Sequence, residues 1–328
     1  MLLGVLAVAL VCPTWAAVHE GSPADYRRLL RALKPGEELR LAPGDYVGGL
    51  SIHDLAGTEH APIVISGPAG PAEARMLARP GRNTISILNS AHVTIKNLVL
   101  DGRNLPVDGV KCEGHAHFAH HITLENLTIR GHGNNQQTVG ISTKCPAWNW
   151  VIRGNTIIGA GTGMYLGNSD GHAPFVAGLI ENNLIVNSVG YNLQIKHQTA
   201  RPELAGMPIA PSETVIRHNV FAKTLPLRED ALPRPSVLVG HWPPAGAGAE
   251  DRYVIYGNFF YGATSWPDGA ESLFQGEGNL MLYNNLFVAP EGDAIRIQPH
   301  NDIPKNILVA YNTVLARSAG IVLLRGAG

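Results

Sequence analysis

Three lysines in the middle of the chain, Lys111, Lys144 and Lys196, end or interrupt short alternating segments, VKC, GISTK and NLQIK. Lysines brought together on one face repel one another, which lowers the pKa of at least one of them. A neutral amine near pH 7 can take a proton from carbon. Such a base suits removal of a proton from a carbon beside a carboxylate, as on a sugar chain whose carboxylates cationic groups hold. The same segments carry the groups that could complete the chemistry. Lys144 or Lys196 is the candidate base, and Tyr165, His197 or His241 the donor to a leaving oxygen. Lys111 and Arg296 are candidates to hold the carboxylate, and Gln194 and Trp242 to contact the sugar. Lysines on an exposed strand face also serve solubility and edge protection, and His197 and His241 would equally suit turns bonded to backbone carbonyls, so spacing alone leaves both readings open.

Placing these groups on one surface requires elements that repeat. Seven segments do: GISTK (140–144), GMYLG (163–167), NLQIK (192–196), SVLVG (236–240), SLFQG (272–276), AIRIQ (294–298) and GIVLL (320–324). Strand alternation sends Ile141, Met164, Leu193, Val237, Leu273, Ile295 and Ile321 inward. One outward column then reads Ser142, Tyr165, Gln194, Leu238, Phe274, Arg296, and the other Lys144, Gly167, Lys196, Gly240, Gly276, Gln298. Aligning Val110-Lys111-Cys112 with Thr143-Lys144-Cys145 adds Lys111 to the second column. It also sets Cys112 beside Cys145, within the ~4.4–6.8 Å Cα span of a disulfide. A Cys112–Cys145 disulfide is expected in an exported chain, although two stacked buried thiols would pack equally well.

A second signal is an Asn turn between two short strands, seen in VTIKNLVL, ITLENLTI, WVIRGNTII, GLIENNLIV, TVIRHNVFA, YVIYGNFFY, LMLYNNLFV and ILVAYNTVL. The asparagines are Asn97, Asn126, Asn155, Asn183, Asn219, Asn258, Asn285 and Asn312. Most recur every 27 to 29 residues, with two longer steps of 36 and 39. Stacked as parallel coils about 4.8 Å apart, one Asn per coil forms a ladder of side-chain amides, a structural rather than catalytic role. The extra chain falls at 198–213 and 224–236, expected beside the lysines because solenoid insertions map to the binding face.

With this repeat, the opening LKPGEELRLAPGDY and the segment GTEHAPIVISGPAG, the chain resembles the right-handed parallel β-helix superfamily of pectate lyases, chondroitinase B and alginate lyases over residues 20–328. The resemblance implies an all-β solenoid acting on an acidic polysaccharide. In the chondroitinase B and alginate lyase group the base is a Lys ending a strand of the form I-S-x-K shortly before the Asn turn, and Lys144 in GISTKCPAWNWVIRGN looks like that position. The group's acidic calcium ligands have no counterpart in QQTVGISTK, nor its Arg in GTGMYLGNSDGH. No cofactor is expected, and calcium, though compatible with the fold, has no motif behind it. Mannuronan epimerases of this fold use a Tyr near Asp-x-His, to which Tyr165 with Asp170-Gly171-His172 is similar in composition.

Composition bounds the rest. With 25 Lys+Arg against 26 Asp+Glu in 328 residues, no overall field draws in nucleic acid. Gly at 37 and Pro at 23 argue for many turns between short strands. Residues 1–17, MLLGVLAVALVCPTWAA, read as a signal peptide, which predicts a secreted or periplasmic protein. No later stretch approaches the roughly 18 apolar residues of a membrane span. Residues 18–38 are expected to hold an N-terminal capping helix with Ser22 as N-cap, and 39–328 the β-helix, truncated or uncapped where it stops in mid-coil. A monomer is expected unless another subunit covers that end. His115, His117, His120 and His121 crowd together without a Cys or acidic ligand pattern, so no metal site is expected. The whole describes an exported β-helix acting on a uronate polysaccharide, foremost as a lyase; a non-catalytic carbohydrate-binding or cell-surface β-helix and a C5-epimerase are the alternatives.

Overall fold

Short strands closed by Gly, Asn and Pro cannot each bury a face alone, so they stack. The computed structural model describes residues 17–262, 265–266 and 269–324, and residues 1–16 of the expected signal peptide lie outside them. Three sheets of 13, 10 and 10 strands run the length of the molecule. Within each, successive strands pair in parallel with the coil before and after, as in Val110–Cys112 with Val139–Thr143 and Thr128–Arg130 with Thr156–Ile158. The first sheet runs from Val18–Gly21 to Lys305–Ala310, the second from Gly44–Tyr46 to Thr313–Ala316, and the third from Leu50–His53 to Ile321–Leu323. This is a parallel β-helix, as the repeat predicts. Inward side chains of all three sheets meet in one core, in which Phe221, Phe260 and Phe287 stack with ring centres 5.3 and 4.4 Å apart. Among the described residues no helix is long and apolar enough to cross a membrane.

The helical signal at 18–38 resolves into three pieces. Val18–Gly21 is a strand paired with Glu38–Leu41, and the helix is confined to Tyr26–Ala32. Ser22 does not cap it. The Ser22 N–H and hydroxyl both donate to Asp25 Oδ1, at 2.8 and 2.7 Å, closing a turn before the helix starts. Tyr26 and Leu30 are buried, with Tyr26 edge-on to Tyr46 at 5.0 Å. In the last described coil Ile321 and Leu323 are exposed, whereas their partners Ile295 and Ile297 are buried.

The Asn ladder is shorter than the repeat suggests. Asn155, Asn183, Asn219, Asn258, Asn285 and Asn312 form it, each of the first five donating its side-chain amide and its backbone N–H to the next Oδ1 at 2.9–3.0 Å. Asn97 and Asn126 are off by one residue. Glu125 pairs with Arg153, so Leu127, not Asn126, stands beside Asn155 and donates its N–H to Asn155 Oδ1 at 2.9 Å. Leu98 and Leu127 fill the buried ladder position in the early coils. Asn97 and Asn126 instead take the left-handed turn conformation, φ 58° and 52°, where the Asn155 coil places Gly154 at φ 65°. Asn tolerates that region nearly as Gly does, which is why the two kinds of Asn look alike in sequence.

Candidate functional site

The outer face of the third sheet floors an open cleft of about 910 Å³. Alternation carries Tyr165 and Gln194 onto that floor from Thr162–Leu166 and Leu193–Ile195, and Lys144 and Lys196 stand one residue beyond their strands. Lys111 and Arg296 lie towards opposite ends of the stack, and His197 lines one edge. Lys144 Nζ sits 3.3 Å from the centre of the Tyr165 ring and Lys196 Nζ 5.8 Å, so the ring face is shared by two amines. Gly167 makes this possible, since a Cβ there would come within 3.3 Å of Lys196 Cβ.

Burial, with Lys111 and Lys196 adding to it and Asp108 opposing, pushes Lys144 down to about 8. Burial also lowers Lys196, opposed by the carboxylate of Glu277. Tyr165 is raised by burial and remains a protonated phenol at neutral pH. His197 is lowered by burial and by the neighbouring Lys196 and His300, which keeps it neutral. Lys111 lies 3.3 Å from Asp108 Oδ2, and Arg296 2.6 Å from Asp293 Oδ2. These two cations are held in place while still reaching the cleft.

Several expected placements change. Lys111 pairs with Ser142, two residues from the assigned register, and so stands in the column of Tyr165, Gln194 and Arg296 rather than with Lys144. A two-residue slip preserves which face a side chain takes, so alternation could not detect it. The deciding signal was a glycine column, Gly109, Gly140 and Gly163, where a Cβ on either of the first two would approach the next glycine's carbonyl at 2.6 Å. Phe274 pairs with Val237 and is buried, which turns Gln275 outward and puts Glu277, not Gly276, in the lysine column. His241 aligns with His197 but does not line the cleft. It is buried, with Nδ1 2.6 Å from the Trp242 carbonyl and Nε2 3.6 Å from Asp302, so the donor role assigned to it is withdrawn. Trp242 is also core rather than sugar contact, stacked on Tyr253 at 4.3 Å and 1% exposed.

The disulfide is likewise corrected. Cys112 pairs with Thr143, not Cys145, and both cysteines are free buried thiols lying against one another. Burial pushes the Cys112 thiol up, so neither metal nor alkylating agent finds a thiolate there. In the native protein Cys112 and Cys145 are expected to stay unlabelled by iodoacetamide, read by peptide mass spectrometry, and reductant should leave the melting temperature unchanged. A melting temperature that falls with reductant would reinstate the bond.

The two insertions behave differently. Arg234 and Pro235 of 224–236 line the cleft, where Glu271, Tyr191 and His300 join them. Sequence reading missed these four cleft side chains other than Pro235, because only the fold brings their loops to the third sheet. The 198–213 segment turns away. Met207 and Leu204 pack on Trp148 and Val176, and Arg201 is locked to Asp251 in a buried ion pair. Three carboxylates of these coils are already engaged: Glu213 pairs with Arg252 at 3.0 Å, Glu277 accepts the Asn301 N–H at 3.1 Å, and Asp170 accepts the His172 N–H at 2.9 Å.

Fold and site together define a parallel β-helix with a lysine-rich cleft along one sheet. No protein-family model matches the sequence, and no curated protein does. Among solved structures the chain is similar to an alginate lyase from Paenibacillus sp. str. FPU-7, with TM-score 0.51 and 12% identity over 94% of this chain and 97% of that one. It is similar also to the GH136 lacto-N-biosidase from Eubacterium ramulus, with TM-score 0.51 and 11% identity over 94% of this chain and 68% of that one. At such identities the likeness is one of fold.

Proposed function

We propose that the protein is exported and that its cleft binds an acidic, uronate-containing polysaccharide, which Lys144 cleaves by β-elimination. The observation that carries this reading is the half-buried Lys144 amine, lowered to about 8, against the ring of a tyrosine that keeps its proton. The cleft lining supports an anionic ligand, since Lys111, Lys144, Lys196, Arg234 and Arg296 face it with only Asp108 and Glu271 opposing. Neutral Lys144 Nζ takes the proton α to the carboxylate, and the released electron pair forms a double bond to the β carbon. The bond from that carbon to the bridging oxygen breaks, and the Tyr165 hydroxyl protonates the oxygen. Lys196 stabilises the developing enolate, and Lys111 or Arg296 holds the carboxylate. Solvent then returns the proton from Lys144 to Tyr165. Export rests on the apolar run of residues 1–17, read as a signal peptide, and the fold similarity to an alginate lyase supports the substrate class.

Epimerisation would return a proton to the opposite face of the same carbon, whereas Lys144 and Tyr165 both approach from the sheet. A purely binding role shares the charge argument but leaves the lowered Lys144 unused. The test is ultraviolet absorbance of the unsaturated product on alginate, pectate, chondroitin sulfate, dermatan sulfate and heparin, with and without calcium. Because the free amine is the active form, kcat/KM is expected to rise with pH through about 8. No absorbance and no new reducing ends on any polymer would overturn the proposal.

A further inference from the structure

Outside the cleft lining, His92, His120 and His121 bring three imidazoles together on neighbouring coils of the first sheet. One ligand nitrogen from each lies within 4.8 Å of the other two. Adjacent residues of a regular strand point to opposite faces, so His120 and His121 should not meet. They do because His121 takes a left-handed backbone conformation, φ 51°, which breaks the alternation and sets the two Nδ1 atoms 2.8 Å apart. His92, one coil before, repeats that conformation at φ 52°, and its ring stacks on His121 at 4.2 Å. A conformation that residues with side chains rarely adopt thus recurs on two coils and collects three nitrogens.

We propose that His92, His120 and His121 form a binding site for a first-row transition metal ion of the Zn²⁺ class. Three imidazoles with one position left to water match the donor set such ions favour. Ligands about one tetrahedral ion stand roughly 3.3 Å apart at zinc–nitrogen bond lengths, a spacing these nitrogens reach by ring rotation. One of the two stacked rings must turn, because parallel rings cannot both aim a lone pair at one ion. A supporting shell is in place. Asn149 Nδ2 lies 3.0 Å from His121 Nε2, and with its amide turned over Oδ1 accepts the Nε2–H and leaves Nδ1 bare for the metal. His120 is fixed from behind by Trp148, stacked at 4.5 Å. The bound ion would tie the strand Ser90–Lys96 to Ala119–Glu125 at the bend where their alternation fails.

The test uses the chain without any affinity tag, stripped of metal and titrated with Co²⁺ read by visible absorption, then with Zn²⁺ in competition. One ion per chain and a metal-dependent rise in melting temperature are expected. His92→Asn and His121→Asn keep a residue that tolerates the left-handed conformation while removing the imidazole, and each should weaken binding at least ~10-fold. His120→Gln, which leaves both turns untouched, should do the same. Failure of Co²⁺ and Zn²⁺ to saturate at one ion per chain would overturn the proposal. So would an isotherm unchanged in the His92→Asn/His121→Asn double variant.

Discussion

Lys144→Ala is expected to lower elimination by about 10²- to 10⁴-fold on whichever polymer the protein cleaves, the loss that follows removal of a positioned base. The fold should survive it, because the Lys144 backbone N–H still bonds to Cys112 O at 3.0 Å and the side chain ends in the cleft. Stability should move the other way. The ammonium is disfavoured by burial, with a folded pKa of about 8 below the ordinary 10.5. That penalty is complete below the folded value and is relieved as pH rises from about 8 towards 10.5. Lys144→Met should therefore stabilise the protein at neutral pH, by about 1–2 kcal/mol once the shift is discounted for the water that reaches the amine. The gain should shrink above pH 8. A variant that gains stability and loses turnover marks a group kept for chemistry rather than packing. Lys144→Ala with an unchanged rate would transfer the base to Lys196, whose alanine variant decides it.

The second large effect is structural. Asn219 is 1% exposed, accepts from the Asn183 backbone and side chain at 2.9 Å, and donates to Asn258 Oδ1 at 3.0 Å and to the Ile180 carbonyl at 2.9 Å. Asn219→Leu fits the volume, as Leu127 does in an earlier coil, but strands two buried donors, the Asn183 N–H and the Asn183 Nδ2 hydrogen that both point at Asn219 Oδ1. Each orphaned group costs about 1–3 kcal/mol, so a loss of about 3 kcal/mol or more is expected in denaturant unfolding. Asn97→Gly should cost almost nothing. It keeps the left-handed turn and loses one 3.4 Å bond at an exposed position. Equal losses at the two sites would show that the Asn219 amide network contributes nothing special.

The contrast between these two asparagines shows what was legible in the sequence. Parallel coils, inward residues and the lysine-bearing sheet follow from alternation and repeat, because period and parity are properties of the chain itself. Register is not. Lys111 slid by two residues without changing face, and Asn97 and Asn126 by one within a turn whose two positions both accept Asn. His241 and Trp242 end a strand as His197 does, and only the packing of Trp242 on Tyr253 tells buried from exposed. The partners Arg234, Glu271 and His300 arrive from loops on other coils, which no local pattern encodes. Lys144, Lys196 and Tyr165 were found because they sit on the strands or at their ends.

The 224–236 insertion reaches further than the cleft wall it supplies. Arg228 donates to the Gly133 carbonyl at 2.6 Å, and Gln136 exchanges bonds with the Leu232 backbone at 2.7 and 3.2 Å, 96 residues away in sequence. In a stack where each coil touches only its neighbours, unfolding can fray from an end and stop anywhere. This brace spans three coil steps and makes them fail together. Removing both contacts, with Arg228→Ala and Gln136→Ala together, would leave every rung of the stack intact, yet turn one cooperative block into a row of nearest-neighbour units, with the lysine face inside the block that loosens.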